Sequence, residues 1–274
     1  MVNALFGSIS DATQWVYHYT SLKTALESLL PSGKLRLGPF STVNDPRESK
    51  SWVFSLSCPA GKTPEEEEFV HLQELATSMV KNNCKVLCTS QDDPRAVADG
   101  VDYSFHRGYA RPRMWAQYGD EHRGVCLVLD RNALNDQIGD HLRGRGRVYS
   151  GPVEYANWHA DEVLAFNLNY GDIVDGSLDA VLQAKVERHH RAYFFTKAED
   201  WSSEIEWRWV VCGTDSKPED VPLGGSLRAI VLGADFPQVY EPAIVPFGER
   251  FSVPIARLCW RNGTPIVMPG PYSP

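Results

Sequence analysis

Glu204-Ile-Glu206-Trp-Arg208 is the segment whose residue types and spacing best suit chemistry. Ser203–Cys212 alternates polar with apolar residues, which predicts a strand whose successive side chains take opposite faces. Glu204, Glu206 and Arg208 then share one face, and Ile205, Trp207 and Trp209 the other. A sheet with one wet face accounts for the pattern. So does a cleft in which one carboxylate positions a hydroxyl and the other handles a proton. Arg208 would orient a carboxylate there or pair with a phosphate.

Three further constellations stand out. Trp15–Thr20 is rich in aromatic and β-branched residues and predicts a strand. His18 lies in it between Tyr17 and Tyr19, followed by Thr20. Rings that stack on a base beside an imidazole that bonds a ribose hydroxyl would suit a nucleoside, although a satisfied structural histidine reads the same way. Asn44-Asp45-Pro46-Arg47-Glu48 is turn chemistry. At a cleft rim it would offer Asn44, Asp45 and Arg47. Met114-Trp115-x-x-Tyr118 puts Trp115 and Tyr118 on one short helix, either as a core stripe or as an aromatic wall.

Other chemistries find no motif. Glycine-rich phosphate loops and the G-x-S-x-G elbow are absent. Adjacent His189 and His190 cannot share a metal-facing side of a helix. Of the six cysteines, Cys84 and Cys88 have no second pair to complete a tetrahedral zinc site. No metal is expected, and the thiols read as reduced, with Cys126 and Cys212 in the core.

The elements that must position these residues follow from periodicity and punctuation. A helix is predicted over Ser21–Leu30, stopped by Pro31-Ser-Gly33, and a short strand over Lys34–Leu37. Pro64–Met79 reads as a helix whose first turn is acidic. Strands are expected at Cys84–Thr89, Gly124–Leu129, within Arg147–Tyr155, and at Leu227–Leu232, the last central one. Helices are expected at Pro112–Tyr118 and Leu178–Phe195. The order is not a regular βαβ repeat. It implies an α+β fold with a mixed, largely antiparallel sheet and flanking helices. Without a repeat or a linker-like shift in composition, residues 1–274 are read as one domain.

Composition sets the outer limits. The chain of 274 residues is 43% hydrophobic and 23% charged, which excludes wholesale disorder and a small disulfide scaffold. Asp and Glu total 35 against 27 Lys and Arg, so the overall field does not attract nucleic acid. Two basic stretches, Arg107–Arg113 and Arg143–Arg147, are solvated loops or local contacts for a diphosphate or nucleic acid. Met1–Ser8 lacks the marks of a signal peptide, and no apolar run approaches membrane-spanning length. A cytoplasmic location is expected, although specialised secretion would leave no such mark.

Together, Tyr17–Ser21, Asn44–Glu48, Met114–Tyr118 with Gly124–Leu127, and Trp201–Arg208 resemble a widespread bacterial and phage family of unknown function. The order of the His18 strand, helix, short strand, aromatic elements and late E-x-E strand also resembles the NAD-dependent ADP-ribosyltransferase fold, a split sheet around an NAD cleft. That resemblance implies NAD as substrate, with cleavage of the nicotinamide–ribose bond and transfer to protein, nucleic acid or water. A toxin or phage-defence setting would be natural. His18 would hold the adenosine ribose, supported by Thr20. Glu206 would bond the nicotinamide ribose, Glu204 would position the acceptor, and Tyr118 or Trp115 would stack on nicotinamide. The alternative is a non-catalytic nucleotide- or nucleic-acid-binding module on the same fold.

Overall fold

Aromatic and β-branched residues put Trp15–Thr20 into strand β1, and the chain then turns into a helical segment over 22–32. The Ser21 hydroxyl caps that segment on the Thr24 amide, and Gly33, at φ 65°, ends it in the left-handed region that glycine tolerates best. The structure is a computed structural model that describes residues 13–95, 104–157, 162–213 and 215–273. Met1–Ser8, read above for a leader, lie outside them.

The remaining strands are β2 (Lys34–Pro39), β3 (Ser55–Ser57), β4 (Cys84–Gln91), β5 (Val125–Asp130), β6 (Arg147–Pro152), β7 (Glu154–Tyr155), β8 (Asn167–Asn169), β9 (Thr196–Lys197), β10 (Glu206–Cys212), β11 (Glu219–Pro222), β12 (Leu227–Leu232), β13 (Ile255–Arg261) and β14 (Thr264–Tyr272). Ten of the strands form one sheet in the order β11-β2-β4-β1-β5-β12-β13-β14, with β10 and then β6 attached to β4. Among the described residues only β12 and β13 run parallel within it. The fold is thus α+β with a mixed, largely antiparallel sheet. β13 lies between β12 and β14, so β12 is not the last central strand, and β14 closes that edge with Pro265, Pro269 and Pro271.

One detail of the pairing matters for everything below. β10 covers the whole of one edge of β4, from Cys84 to Ser90. The other edge is divided. β2 pairs only at Lys85 and Val86, and β1 only at Ser90 and Gln91. Between them the sheet parts beside Leu87, Cys88 and Thr89.

Both faces are covered, so the wet face expected for β10 is not found. Val125, Leu127 and Leu129 of β5 pack with Leu87 and Trp209 beneath Leu30, Ile138 and Ile244. Cys126 and Val128 face the other way, against Tyr17, Tyr19 and Trp115. Val86 and Val210 pack against Ala76, Val80, Leu182 and Val186 of the helices Glu66–Asn83 and Leu178–Phe194. Full burial of such side chains contributes about 1.5–3 kcal/mol each, enough to set the register of the central strands.

The expectation of reduced thiols is corrected at one pair. Cys84 and Cys212 stand opposite one another in the β4–β10 ladder, their Cα atoms 4.1 Å apart, and form a disulfide. Close opposition of this kind belongs to alternate pairs of an antiparallel ladder and depends on register. Among the described residues no helix is long and apolar enough to cross a membrane.

Candidate functional site

The parting of the sheet holds a cavity of about 260 Å³. Its walls include Tyr17, His18 and Tyr19 of β1, Cys88 of β4, and Asn44 and Glu48 from the turn after β2. Tyr118, Lys197, Glu204, Glu206 and Arg208 add further polar groups, with Arg36, Thr42 and Thr89, and Val43, Val86, Leu87 and Met114 add apolar surface.

The acidic pair reaches this cavity by a route different from the expected one. Glu204 is not in a strand. It ends the 3-10 helix Glu199–Glu204, and Ile205 follows in the left-handed region at φ 43°. That conformation is costly for a β-branched residue, and it turns the chain between the two glutamates. Only at Glu206 does β10 begin. The two carboxylates therefore converge because a helical turn and a strand meet, not by strand alternation.

Arg208, fully buried, organises the floor. Its Nε donates to Glu206 Oε1 at 2.6 Å and its Nη2 to Glu206 Oε2 at 3.0 Å. The same guanidinium donates to both carboxylate oxygens of Glu48 and to the Phe194 carbonyl. Lys197 Nζ lies 2.6 Å from Glu204 Oε2 and 3.2 Å from Glu206 Oε2, and 4.6 Å above the Trp201 ring. The Tyr118 hydroxyl donates to Glu204 Oε1 at 2.8 Å. Three carboxylates thus meet two cations. Burial alone would raise the Glu206 carboxyl, but Arg208 and Lys197 outweigh it and hold the group down at about 2. For Glu48 burial prevails over Arg208 and the value rises. Burial would lower Lys197, yet Glu206 and Glu204 raise it, so it is a fixed cation and not a nucleophile.

His18 occupies the opposite side of the cavity. By register it sits beside Leu127, whereas Tyr17 sits beside Ser90 and Ser90 beside Glu206. His18 and Glu206 therefore belong to opposite faces of the sheet. They line one cavity because the sheet is parted there. His18 Nδ1 lies 3.3 Å from the Cys88 carbonyl, to which it can only donate. Burial lowers the imidazole, opposed by that bond. A neutral ring donating from Nδ1 keeps Nε2 as an acceptor.

The other expected site residues divide. Tyr17 and Tyr19 line the cavity but are committed to packing. The Tyr17 hydroxyl donates to Asp92 at 2.7 Å, Tyr19 bonds the Gly108 carbonyl, and their rings meet Tyr109 and Trp115 edge-on. Trp115 is fully buried, donates to the Tyr109 carbonyl and lies outside the lining, as a core stripe would. Thr20 is buried outside it too. Asp45 caps the helix Pro46–Ser49 by accepting from the Arg47 amide, and Arg47 donates to the Ala156 carbonyl, so neither reaches the cavity. The basic stretches are largely neutralised. Arg143, Arg145 and Arg147 pair with Asp140, Glu219 and Glu187, and Arg107 pairs with Asp92. Arg111 is buried on backbone carbonyls.

Glu48, Lys197 and Cys88 were missed by sequence reasoning. Glu48 was within reach, since a turn uses Asp45 as its cap and leaves a glutamate one helical turn later unexplained. Lys197 carried no signal. Among the described residues no group of three or more His, Cys, Asp or Glu is placed to hold a metal ion.

A family model described as a protein of unknown function (DUF2971) matches residues 114–209. That stretch contains Tyr118, Lys197, Trp201, Glu204, Glu206 and Arg208, but neither β1 nor the turn at 44–48. No curated protein and no solved structure matches the chain.

Proposed function

We propose that this cavity takes the nicotinamide–ribose end of NAD and that the chain is an NAD-dependent ADP-ribosyltransferase or NAD glycohydrolase. The observation that carries the reading is the convergence of His18 with an acidic pair on one small cavity in a parted sheet. A ribosyl-nicotinamide carries a full positive charge, which passes to the sugar as the bond breaks. A surplus of one carboxylate over the cations complements that charge in both states. The volume lies just below the usual range for ligand sites, room for no more than part of a dinucleotide. The ADP half would leave past Arg36, an exposed residue at the rim that pairs with Asp220.

The chemistry balances without further groups. The bond from ribose C1 to the nicotinamide nitrogen breaks, and its electron pair leaves with neutral nicotinamide. Water or an acceptor hydroxyl supplies the pair that closes on C1 and releases its proton to solvent. The protein holds the ribosyl group, stabilises its positive charge and supplies His18 Nε2 and Glu oxygens as hydroxyl acceptors.

The test is chromatographic detection of nicotinamide released from NAD, with calorimetric titration of NAD binding alongside. Release that disappears on heat inactivation is expected. The absence of both release and saturable binding would overturn the proposal. Saturable binding without release would replace it with a non-catalytic nucleotide-binding module.

A further inference from the structure

We infer that Glu204, rather than Glu206, is the carboxylate that meets the ribose, and that Glu206 is the anchor that keeps the floor of the cavity in place. The inference rests on the reading above. It reverses the roles that the ADP-ribosyltransferase resemblance implies.

The argument starts from acceptor capacity. An ionised carboxylate offers about four lone-pair sites. Glu206 spends three of these sites on Arg208 Nε, Arg208 Nη2 and Lys197 Nζ. Glu204 accepts from the Tyr118 hydroxyl and Lys197 Nζ, which leaves roughly half its capacity for a substrate hydroxyl. Exposure does not separate the two, at 6% and 4%. Occupancy does.

Charge points the same way. A carboxylate that already faces a guanidinium and an ammonium has most of its field cancelled at the distance of a bound sugar. Glu204 shares one cation and gives the larger stabilisation to a developing ribosyl cation. Backbone placement agrees with this. Glu206 is fixed in the β4–β10 ladder opposite Ser90, and its amide donates to the Tyr155 hydroxyl at 2.8 Å. Glu204 stands on a helical turn outside the ladder. Tyr118 donates to Glu204, lines the same cavity and is a positioning residue.

The experiment compares Glu204→Gln, Glu206→Gln and Tyr118→Phe in the full chain. It measures nicotinamide release from NAD with water as acceptor, NAD binding, and thermal melting. Glu204→Gln should lose about 100-fold or more in kcat, the cost of removing one oriented charge contact, and should stay folded because Lys197 keeps Glu206 as its counter-ion. Glu206→Gln should melt earlier and, while folded, lose less kcat than Glu204→Gln. Tyr118→Phe should lower kcat about tenfold with KM unchanged, a split that general loosening would not produce, and it serves if Glu204→Gln fails to fold. Glu204→Gln within tenfold of wild type would overturn the inference, as would a folded Glu206→Gln that loses as much or more, or a Tyr118→Phe with full kcat. An inactive wild type sinks the functional proposal as well. An active wild type with an indifferent Glu204→Gln sinks this inference alone.

Discussion

Arg208→Met is the perturbation with the most to reveal. The side chain is fully buried, and its guanidinium serves Glu206, Glu48 and the Phe194 carbonyl together. Methionine fills similar space with no charge. Glu206 would keep Lys197 as its cation, while Glu48 would lose the fork that holds both its oxygens. Removing one member of a buried ion pair costs about 3–5 kcal/mol, because an uncompensated charge stays behind. At a urea dependence of about 3 kcal/mol per molar, the unfolding midpoint should fall by about 1–1.7 M. The decisive control is Arg208→Met with Glu48→Gln and Glu206→Gln. A neutral set of similar volume no longer buries unmatched charge, so the triple variant should regain at least half of that loss. The acid limb gives a second reading. Glu206, held near 2 in the folded state, is depressed from its ordinary 4.5. Its contribution is therefore present above the ordinary value and is lost as pH falls from about 5 toward 2. Arg208→Met should flatten that decline. A midpoint shift below about 0.3 M, or a triple variant no better than the single, would refute the account.

His18 is lowered from its ordinary 6.5 by burial, so the folded state resists its protonation and stability is lost as pH falls below that value. Melting temperatures near pH 7 and pH 5 should differ less in His18→Asn than in wild type, and equal differences would refute the neutral, partly buried imidazole. An alanine Cβ at Gly108 would lie 2.1 Å from Tyr17 Cδ2 and 2.8 Å from the Gln91 carbonyl, while Tyr17 is tied to Asp92. Gly108→Ala should cost about 1–3 kcal/mol by overpacking, and an unchanged urea midpoint would show that Tyr17 is not so held. With six cysteines and one disulfide, protein purified without reductant and then denatured should titrate as four thiols. A count of six would deny the Cys84–Cys212 pairing.

Much of the local structure was legible along the chain. Periodicity and punctuation located β1, β5, β12 and the long helices, because each is a local pattern of apolar spacing and stop residues. Four members of the motif Trp201–Arg208 meet in the structure at Lys197 or Arg208. Trp201 lies under Lys197, Glu204 and Glu206 take Lys197 between them, and Arg208 anchors Glu206. The reason given for their convergence was wrong, since alternation along a strand cannot foresee the left-handed turn at Ile205.

Residue type and order alone thus determined an α+β chain with an acidic pair, a histidine strand and no recognisable nucleophile motif. Tertiary structure decided what those residues face. His18 and Glu206 lie on opposite faces of the sheet, a relation that normally separates side chains, and they line one cavity only because β1 and β2 take opposite ends of the same edge of β4. Lys197, Glu48 and the Cys84–Cys212 pair likewise acquire their roles from partners 7, 160 and 128 residues away. Pairing across such distances is set by strand register and by packing on both faces of the sheet, and neither leaves a mark in the spacing of neighbouring residues.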